Sequence, residues 1–203
     1  METKKFIGFE STPNSQTWKQ CIAIAQNQFH KSFGAEVEVN ADTFVTNTTR
    51  IDGEDEVKAC IGYKFYSKEK PLFIEQYFEE SLVNIVEKIS GKRFLASDMC
   101  EVGSMASTGR RDGIELLTQL PVFTNFLKKK VGFVTITRQV QFILNQIKLP
   151  YWKVCDADPS KISNVSRWGS YYDTKPICAF IITNEALSKT TKREMSFNQL
   201  ELS

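Results

Sequence analysis

Apolar residues recur every three or four positions in several stretches of the chain, which is the spacing of amphipathic helices. A first helix is predicted over 16–33, where one face carries Trp18, Ile22, Ala25, Phe29 and Phe33. Ser15 can cap its start, and Gly34 can close its end. The same spacing predicts further helices over 74–90, 112–130 and 140–147. Pro121 lies inside the third of these and predicts a kink.

Apolar and polar residues alternate in other stretches, which is the pattern of half-buried strands. The clearest covers 57–66, where Val57, Ala59, Ile61, Tyr63 and Phe65 occupy every second position. Alternating or β-prone stretches predict further strands over 36–39, 43–48, 96–107, 131–137, 152–155 and 176–183. The acidic turn 52–55 directly precedes the clearest strand.

The order of these elements predicts an α/β fold with one mixed sheet. The first half indicates antiparallel strands, and the second half alternates strands with crossover helices, which favours a partly parallel sheet covered by helices. We expect a single domain over 15–187, with a polar leader over 1–14 and a C-terminal extension over 188–203. No glycine-rich nucleotide motif of the G-x-G-x-x-G or P-loop type occurs.

Composition narrows the possible partners. The chain is 41% hydrophobic with 15 Phe, enough for a sizeable core, and its net charge of +2 is too small to indicate nucleic-acid binding. The longest apolar run, 177–182, is far shorter than the ~20 residues that span a bilayer, so no transmembrane segment is expected. The basic run 128–130 is interpreted as a solvated helix end, with anion binding as the alternative.

The cysteines indicate a reducing compartment. They are five in number and widely spaced, without a C-x-x-C pair: Cys21, Cys60, Cys100, Cys155 and Cys178. With His30 as the single histidine, no metal site is predicted. The N-terminus has no apolar signal region, so we expect a cytoplasmic protein. Nothing in the sequence indicates its oligomeric state.

Four segments carry candidate chemistry. They read P-L-F-I-E-Q-Y-F over 71–78, C-E-V-G-S-M-A-S over 100–107, T-I-T over 135–137, and A-D-P followed by W-G-S-Y-Y-D over 157–173. In order and spacing they resemble the bacterial thermostable hemolysin family, from about residue 62 to about residue 182. That family is similar in fold to the GNAT-type N-acyltransferases and to the acyl-homoserine-lactone synthases.

The resemblance implies an N-acyltransferase-like sandwich with a splayed central sheet. An acyl group on the phosphopantetheine thioester of acyl-CoA or of acyl carrier protein would be the cosubstrate, with no permanently bound cofactor. The carrier would lie between strands 96–107 and 131–137. The acceptor would be a small amine or amino-acid-like molecule. Acyl carrier protein would then also be a protein partner.

Glu101 is the first catalytic candidate. A carboxylate in an apolar strand has its pKa raised by burial, which suits the general base that takes a proton from an amine. The alternative is a structural carboxylate that pairs with an Arg or accepts backbone N–H groups. Tyr172 is the second candidate, as proton donor to the leaving thiolate. The alternative for the aromatic loop is packing against the core.

The resemblance also implies binding residues. Assigned to substrate are Gly103, Ser104, Thr137, Trp168 and Tyr171; assigned to the acyl carrier are Val102, Arg110, Arg111 and Gly113. Gly103 would let a ligand approach the strand, or mark a bulge. The loop at 110–115 resembles the R/Q-x-x-G-x-G/A phosphate loop, with Glu115 in place of a small residue; a solvated basic turn is the alternative.

The chain departs from the family pattern at Ser104, where Asn is usual, at Glu115, and at Gln141 and Phe142, where Arg and Asn are usual. These departures keep a catalytically inactive acyl-carrier-binding module as an alternative function. A membrane-active hemolysin is another, although the sequence shows no extrudable amphipathic hairpin.

Overall fold

The computed structural model describes residues 4–189. Within this range seven strands form one mixed sheet in the order β1-β2-β3-β4-β5-β7-β6. The strands are β1 (Lys4–Glu10), β2 (Thr43–Ile51), β3 (Glu54–Phe65), β4 (Met99–Ser107), β5 (Val131–Ile136), β6 (Trp152–Asp156) and β7 (Ile177–Ile182). The β4–β5 pair is parallel, and the other neighbouring pairs are antiparallel. The predicted α/β class with a mixed sheet is confirmed.

Helices cover both faces of the sheet. They are α1 (Gln16–Phe33), α2 (Leu82–Ser90), α3 (Arg110–Phe126) and α4 (Arg138–Gln146), with a further helical stretch over 183–189. The caps of α1 are those predicted: Ser15 Oγ accepts from the N–H of Trp18 at 3.0 Å, and Gly34 has a left-handed φ of 65°. Pro121 lies inside α3.

Neighbouring residues of a strand point to opposite faces, and this alternation separates the helical layers. On β3, Cys60 packs with α1 through Cys21, whereas Ile61 packs in the cluster that holds α3 and α4. On β4, Met99 packs with α2, and Cys100 packs with α3 and α4. Hence α1 and α2 cover one face, and α3 and α4 cover the other.

Two sequence predictions are corrected, and a third lies mostly outside the described residues. The polar leader predicted over 1–14 contains β1, the edge strand of the sheet, in which Ile7 pairs with Asn47 of β2. The strand predicted over 36–39 is a loop, because its backbone bonds to other groups: the N–H of Glu36 donates to the Arg167 carbonyl at 2.7 Å. The extension predicted over 188–203 lies outside the described residues from 190 onward.

The helix predicted over 74–90 is interrupted. Phe73–Tyr77 forms a 3₁₀ turn, and α2 begins only at Leu82, where Ser81 Oγ accepts from the N–H of Asn84 at 3.3 Å. A second helix start within the apolar pattern explains the break. It also places the 3₁₀ turn over β4, where the site described below is built.

Candidate functional site

Strands β4 and β5 pair over a short distance and then separate. Pairing is confined to Met99 with Val131, Cys100 with Gly132 and Glu101 with Phe133, although β4 runs on to Ser107 and β5 to Ile136. Beyond Glu101 the described residues of the two strands make no further pairs. Backbone N–H and C=O groups on the facing edges are therefore available to a ligand. This is the splayed sheet that the sequence resemblance implied.

A bulge shapes β4 next to this opening. Its register against β3 shifts between Cys60 and Gly62, and Ser104 has a φ of 49°, in the left-handed region. A Cβ on Gly62 would lie 3.3 Å from the Ser104 Cβ, so glycine fits where the strands are crowded. A Cβ on Gly103 would meet no atom within 4 Å. This segment therefore contains a bulge, and the space above Gly103 is open.

A cavity of about 360 Å³ opens at the separation of the strands. Glu101, Val102, Gly103 and Ser104 of β4 line it together with Thr135 of β5. Its other walls come from α1 and the loop after it, from β3, from the 3₁₀ turn and from the loop before β7. The structure thus brings together six of the predicted site residues, namely Glu101, Val102, Gly103, Ser104, Trp168 and Tyr171.

Glu101 lies on the α2 face of β4, under the 3₁₀ turn. Its carboxylate accepts the backbone N–H groups of Phe73 and Ile74. Burial raises the pKa of Glu101 to about 7; the two N–H donors oppose this rise, and nearby Glu75 adds to it. The carboxylate thus accepts backbone donors and also borders the cavity.

The aromatic loop before β7 forms the wall opposite β4. The Trp168 ring centroid is 5.2 Å from those of Phe73 and Tyr171, and Tyr171 stacks on Phe29 at 5.8 Å. The Tyr171 hydroxyl lies 3.4 Å from the carbonyl of Thr135 on β5. Trp168 and Tyr171 therefore pack with one another and still border the cavity.

A glycine docks this loop onto the end of α1. The N–H of Ser170 donates to the carbonyl of Phe33 at 2.8 Å. Gly169 has a φ of 51°, and a Cβ there would lie 2.0 Å from the same carbonyl oxygen. Since no L side chain fits that approach, Gly169 is required for the wall to reach α1.

Tyr172 does not line the cavity but contacts a residue that does. Its hydroxyl is 2.7 Å from that of Tyr77, and Tyr77 is the member of the pair that lines the cavity. Burial raises the pKa of both phenols. Tyr77 is not among the predicted site residues, because it shares the spacing of the apolar positions in the helix predicted over 74–90.

Thr137 also lies outside the cavity lining. It is the N-cap of α4, and its hydroxyl accepts the N–H of Val140 at 3.4 Å. Thr135, two positions earlier and on the same side of β5, lines the cavity instead. The strand ends at Ile136, so the chain turns into α4 before Thr137 can face the opening.

The residues assigned to the acyl carrier at 110–113 lie at the start of α3. Arg110 and Arg111 are exposed there and do not line the cavity. A Cβ on Gly113 would lie 2.7 Å from Ser107 Oγ, so this glycine lets α3 pack closely against the end of β4.

The carboxylate of Glu115, which departs from the phosphate-loop pattern, is engaged by the sheet. Lys5 of β1 contacts both Glu115 and Asp112, the latter at 3.0 Å. Asn47 of β2 donates to Glu115 at 3.3 Å. The negative charge at this position is therefore balanced by β1, a strand that the sequence did not predict.

Two charged residues of the cavity were also missed from the sequence. Lys64 of β3 forms an ion pair with Asp42 at 2.7 Å, and Asp42 also accepts the N–H of Phe65. Arg167, on the short helical turn before Trp168, lies near Glu38. Nothing in the local pattern singles out these two residues, because distant segments bring them to the cavity.

Comparison with known proteins assigns the chain to a family. The model of the family described as thermostable hemolysin matches residues 11–187. The chain belongs to the thermostable hemolysin family. A search of curated proteins finds no match.

Solved structures similar to this family member share its fold at low sequence identity. FeeM, an N-acyl amino acid synthase from uncultured soil microbes, has a TM-score of 0.59 at 12% identity, covering 92% of this chain and 95% of FeeM. The CoA-dependent acyl-homoserine lactone synthase BjaI has 0.57 at 11%, covering 94% and 89%. The AHL synthase LasI has 0.55 at 10%, covering 90% of each chain. The predicted N-acyltransferase-like fold is confirmed.

Two further observations concern membrane-spanning helices and metal-binding groups. In the part of the chain that the structure describes, no helix has the length and apolar character needed to cross a bilayer. Over the same residues, His, Cys, Asp and Glu side chains form no group of three that could hold a metal ion.

Proposed function

We propose that this protein is an N-acyltransferase that moves an acyl group from a thioester carrier to a small amine. The observation that carries the proposal is the separation of β4 and β5 directly after Glu101, with that carboxylate beside the resulting cavity. The shared fold with acyl-transferring enzymes supports it.

In the proposed reaction the amine nitrogen attacks the thioester carbonyl carbon. A C–N bond forms, the C–S bond breaks, and the carrier leaves as a thiol. Glu101 in its carboxylate form takes the proton that the amine loses. A general base works best with a pKa near the working pH, and the pKa of Glu101 is about 7.

The pantetheine arm of the carrier would lie in the opening, along Val102 and Gly103. Backbone N–H groups on the unpaired edges would donate to the arm and to the oxyanion of the tetrahedral intermediate. The phosphate end would reach the start of α3, where free N–H groups and the exposed Arg110 and Arg111 favour an anion. Close packing at Gly113 keeps that helix start near the opening. Acyl-CoA and acyl carrier protein both remain candidate donors.

The leaving thiolate needs a proton, which we assign to the Tyr77–Tyr172 pair. Because burial raises the pKa of both phenols, the resulting tyrosinate then takes up the proton that Glu101 received from the amine. Tyr77 borders the cavity, and Tyr172 reaches it through the shared hydrogen bond. Ser104, Trp168 and Tyr171 would contact the substrates. Thr137 would contribute indirectly, by fixing the end of β5 through its cap on α4.

The test is acyl transfer by the purified chain. Acyl-CoA and acyl carrier protein with chains of several lengths are each supplied with a panel of amines, and thiol release and product mass are measured. We expect a product with the wild type, its near loss with Glu101→Gln, and no effect of Glu87→Gln on α2. Carrier binding without turnover would favour the inactive binding module, and liposome leakage without any donor would favour the membrane-active alternative.

A further inference from the structure

Arg167 is a cation at the cavity that the proposed acyl transfer does not use. Its side chain is 47% exposed, and its one ion pair among the described residues is a long contact of 3.5 Å with Glu38, which is 85% exposed. A guanidinium offers five N–H donors in a planar fork that matches a carboxylate. Most of this donor capacity is therefore available to a ligand.

Hydrogen bonds fix the backbone of Arg167, whereas its side chain has only the long contact with Glu38. Its carbonyl accepts the N–H of Glu36 at 2.7 Å, and its own N–H donates to the Asn164 carbonyl at 3.0 Å. These two bonds hold the turn against the loop after α1. The guanidinium is thus presented at the cavity from a rigid base.

The other charges of the cavity are already engaged or point to solvent. Lys64, which is 14% exposed, is held by Asp42. Glu36 and Glu38 are exposed at the mouth, where water screens them. This leaves one inward anion, Glu101, and one available cation, Arg167.

Both charges border the same cavity as a layer of aromatic side chains. Arg167, Trp168, Phe73 and Glu101 all line it, and the Trp168 ring centroid lies 5.2 Å from that of Phe73. The N–H of Phe73 donates to the Glu101 carboxylate. A molecule in this cavity is therefore bordered by a carboxylate and by a guanidinium.

From this arrangement we infer that the acceptor is an α-amino acid, with its amino group at Glu101 and its carboxylate on Arg167. The inference rests on the proposed acyl transfer and assigns the substrate class of the same cavity. Arg167 is then a specificity-determining residue, because it selects acceptors that carry a carboxylate beside the amine.

The experiment compares acceptors that differ only in that carboxylate: phenylalanine with phenethylamine, and leucine with isoamylamine. Wild-type protein should prefer each amino acid by about 10- to 100-fold in kcat/KM, as expected for a charged hydrogen-bonded contact. Arg167→Gln should remove the preference mainly by raising KM, with the amines unaffected. Arg167→Lys should keep part of it, since charge remains without the fork.

The controls separate this effect from a loss of folding. Arg93→Gln removes another surface guanidinium, 80% exposed and outside the cavity lining, and should leave the preference unchanged. Glu38→Gln frees Arg167 from its competing carboxylate and should lower the KM for amino acids. Thermal unfolding should be similar for all four variants, because the fixed groups of Arg167 are in its backbone.

The possible failures are distinguishable. Transfer to amines with no preference for amino acids, or a preference that survives in Arg167→Gln, would overturn the acceptor assignment and leave acyl transfer standing. No transfer from any donor to any acceptor would overturn the proposed function together with this inference.

Discussion

Lys64 on β3 and Glu101 on β4 are directly opposite each other across the antiparallel strands, but they do not share an ion pair. Lys64 bonds to Asp42, and Glu101 accepts backbone N–H groups from the 3₁₀ turn. Because the cation is held elsewhere, burial dominates the electrostatics of Glu101 and raises its pKa to about 7. A structural ion pair thereby leaves the carboxylate free to exchange protons near neutral pH.

The activity should therefore depend on pH through Glu101. The base is active as the carboxylate, so the ratio of wild-type to Glu101→Gln rates should rise about tenfold per pH unit below pH 7 and level off above it. Taking the ratio cancels the titration of the acceptor amine. Rates measured from pH 5 to 9 check this, and a ratio that does not change with pH would remove Glu101 from the role of base.

Stability should depend on pH in the opposite sense. The pKa of Glu101 is higher in the folded chain than its ordinary value of 4.5, so folding favours the protonated form and this stabilisation is lost as pH rises from about 4.5 through 7. Glu101→Gln has no carboxyl to ionise and does not lose this stabilisation. The free energy of unfolding of Glu101→Gln minus that of wild type should therefore increase as pH rises, by at most about 3 kcal/mol. Urea unfolding at pH 5 and pH 8 measures the change, and a constant difference would contradict it.

Filling the space above Gly103 should block the cavity without harming the fold. A Cβ there meets no atom, so Gly103→Val should unfold within a few degrees of wild type and yet lower the acyl-transfer rate by about 100-fold or more through steric exclusion. Gly8→Val on β1 is the matched control, since a Cβ at Gly8 also meets no atom within 4 Å. Full activity of the Gly103 variant would mean that no ligand approaches β4 there.

Gly169→Ala should be much more destabilising than the same change at another glycine with a positive φ. Its Cβ would overlap the Phe33 carbonyl, which adds a steric cost to the strain of an alanine at φ 51° and ψ −128°, for a total of about 2–4 kcal/mol. Gly91→Ala, with a φ of 68° and open surroundings, supplies the comparison. Urea unfolding and Trp fluorescence measure the two; equal destabilisation would show that the aromatic wall is not fixed by Gly169.

The two tyrosines should differ in catalysis but not in stability. Tyr77→Phe and Tyr172→Phe each remove one hydroxyl and break the same hydrogen bond, so each should cost about 1 kcal/mol of unfolding free energy. Tyr77 borders the cavity, so its loss should lower kcat by about 10- to 100-fold, and the loss of Tyr172 by only a few-fold. Single-turnover rates measure this, and the reverse order would assign the proton donor to Tyr172 itself.

The pattern of hydrophobic positions predicted those helices and strands in which one periodicity, helical or alternating, continues for several turns or several residue pairs. The α1 helix with its Ser15 and Gly34 caps and the alternating strand β3 are examples. β1 was missed because an edge strand needs only one buried face, and its alternation is short and rich in lysine. The loop 36–39 alternates like a strand because Val37 is buried between exposed neighbours, without any partner strand.

The family motifs predicted part of the site. Those motifs contain Glu101, Trp168 and Tyr171, which the structure brings together. Arg167 and Lys64 could not be predicted, because their place in the cavity depends on contacts between separate segments. Arg167 lies near Glu38, 129 residues away, and Lys64 bonds to Asp42, 22 residues away. Tyr77 shares the spacing of a core residue, and only the break before α2 shows that its hydroxyl end is at the cavity.

The three-residue contact between β4 and β5 divides the sheet into a half made of β1 to β4 and a half made of β5 to β7. Few backbone hydrogen bonds hold the two halves together at this seam, so the halves should move relative to each other most easily there. In the proposed reaction, a carrier that bonds to both edges would act as an additional strand and join the halves into one continuous sheet. Occupancy by the donor and mechanical stiffness of the whole domain would thereby be coupled.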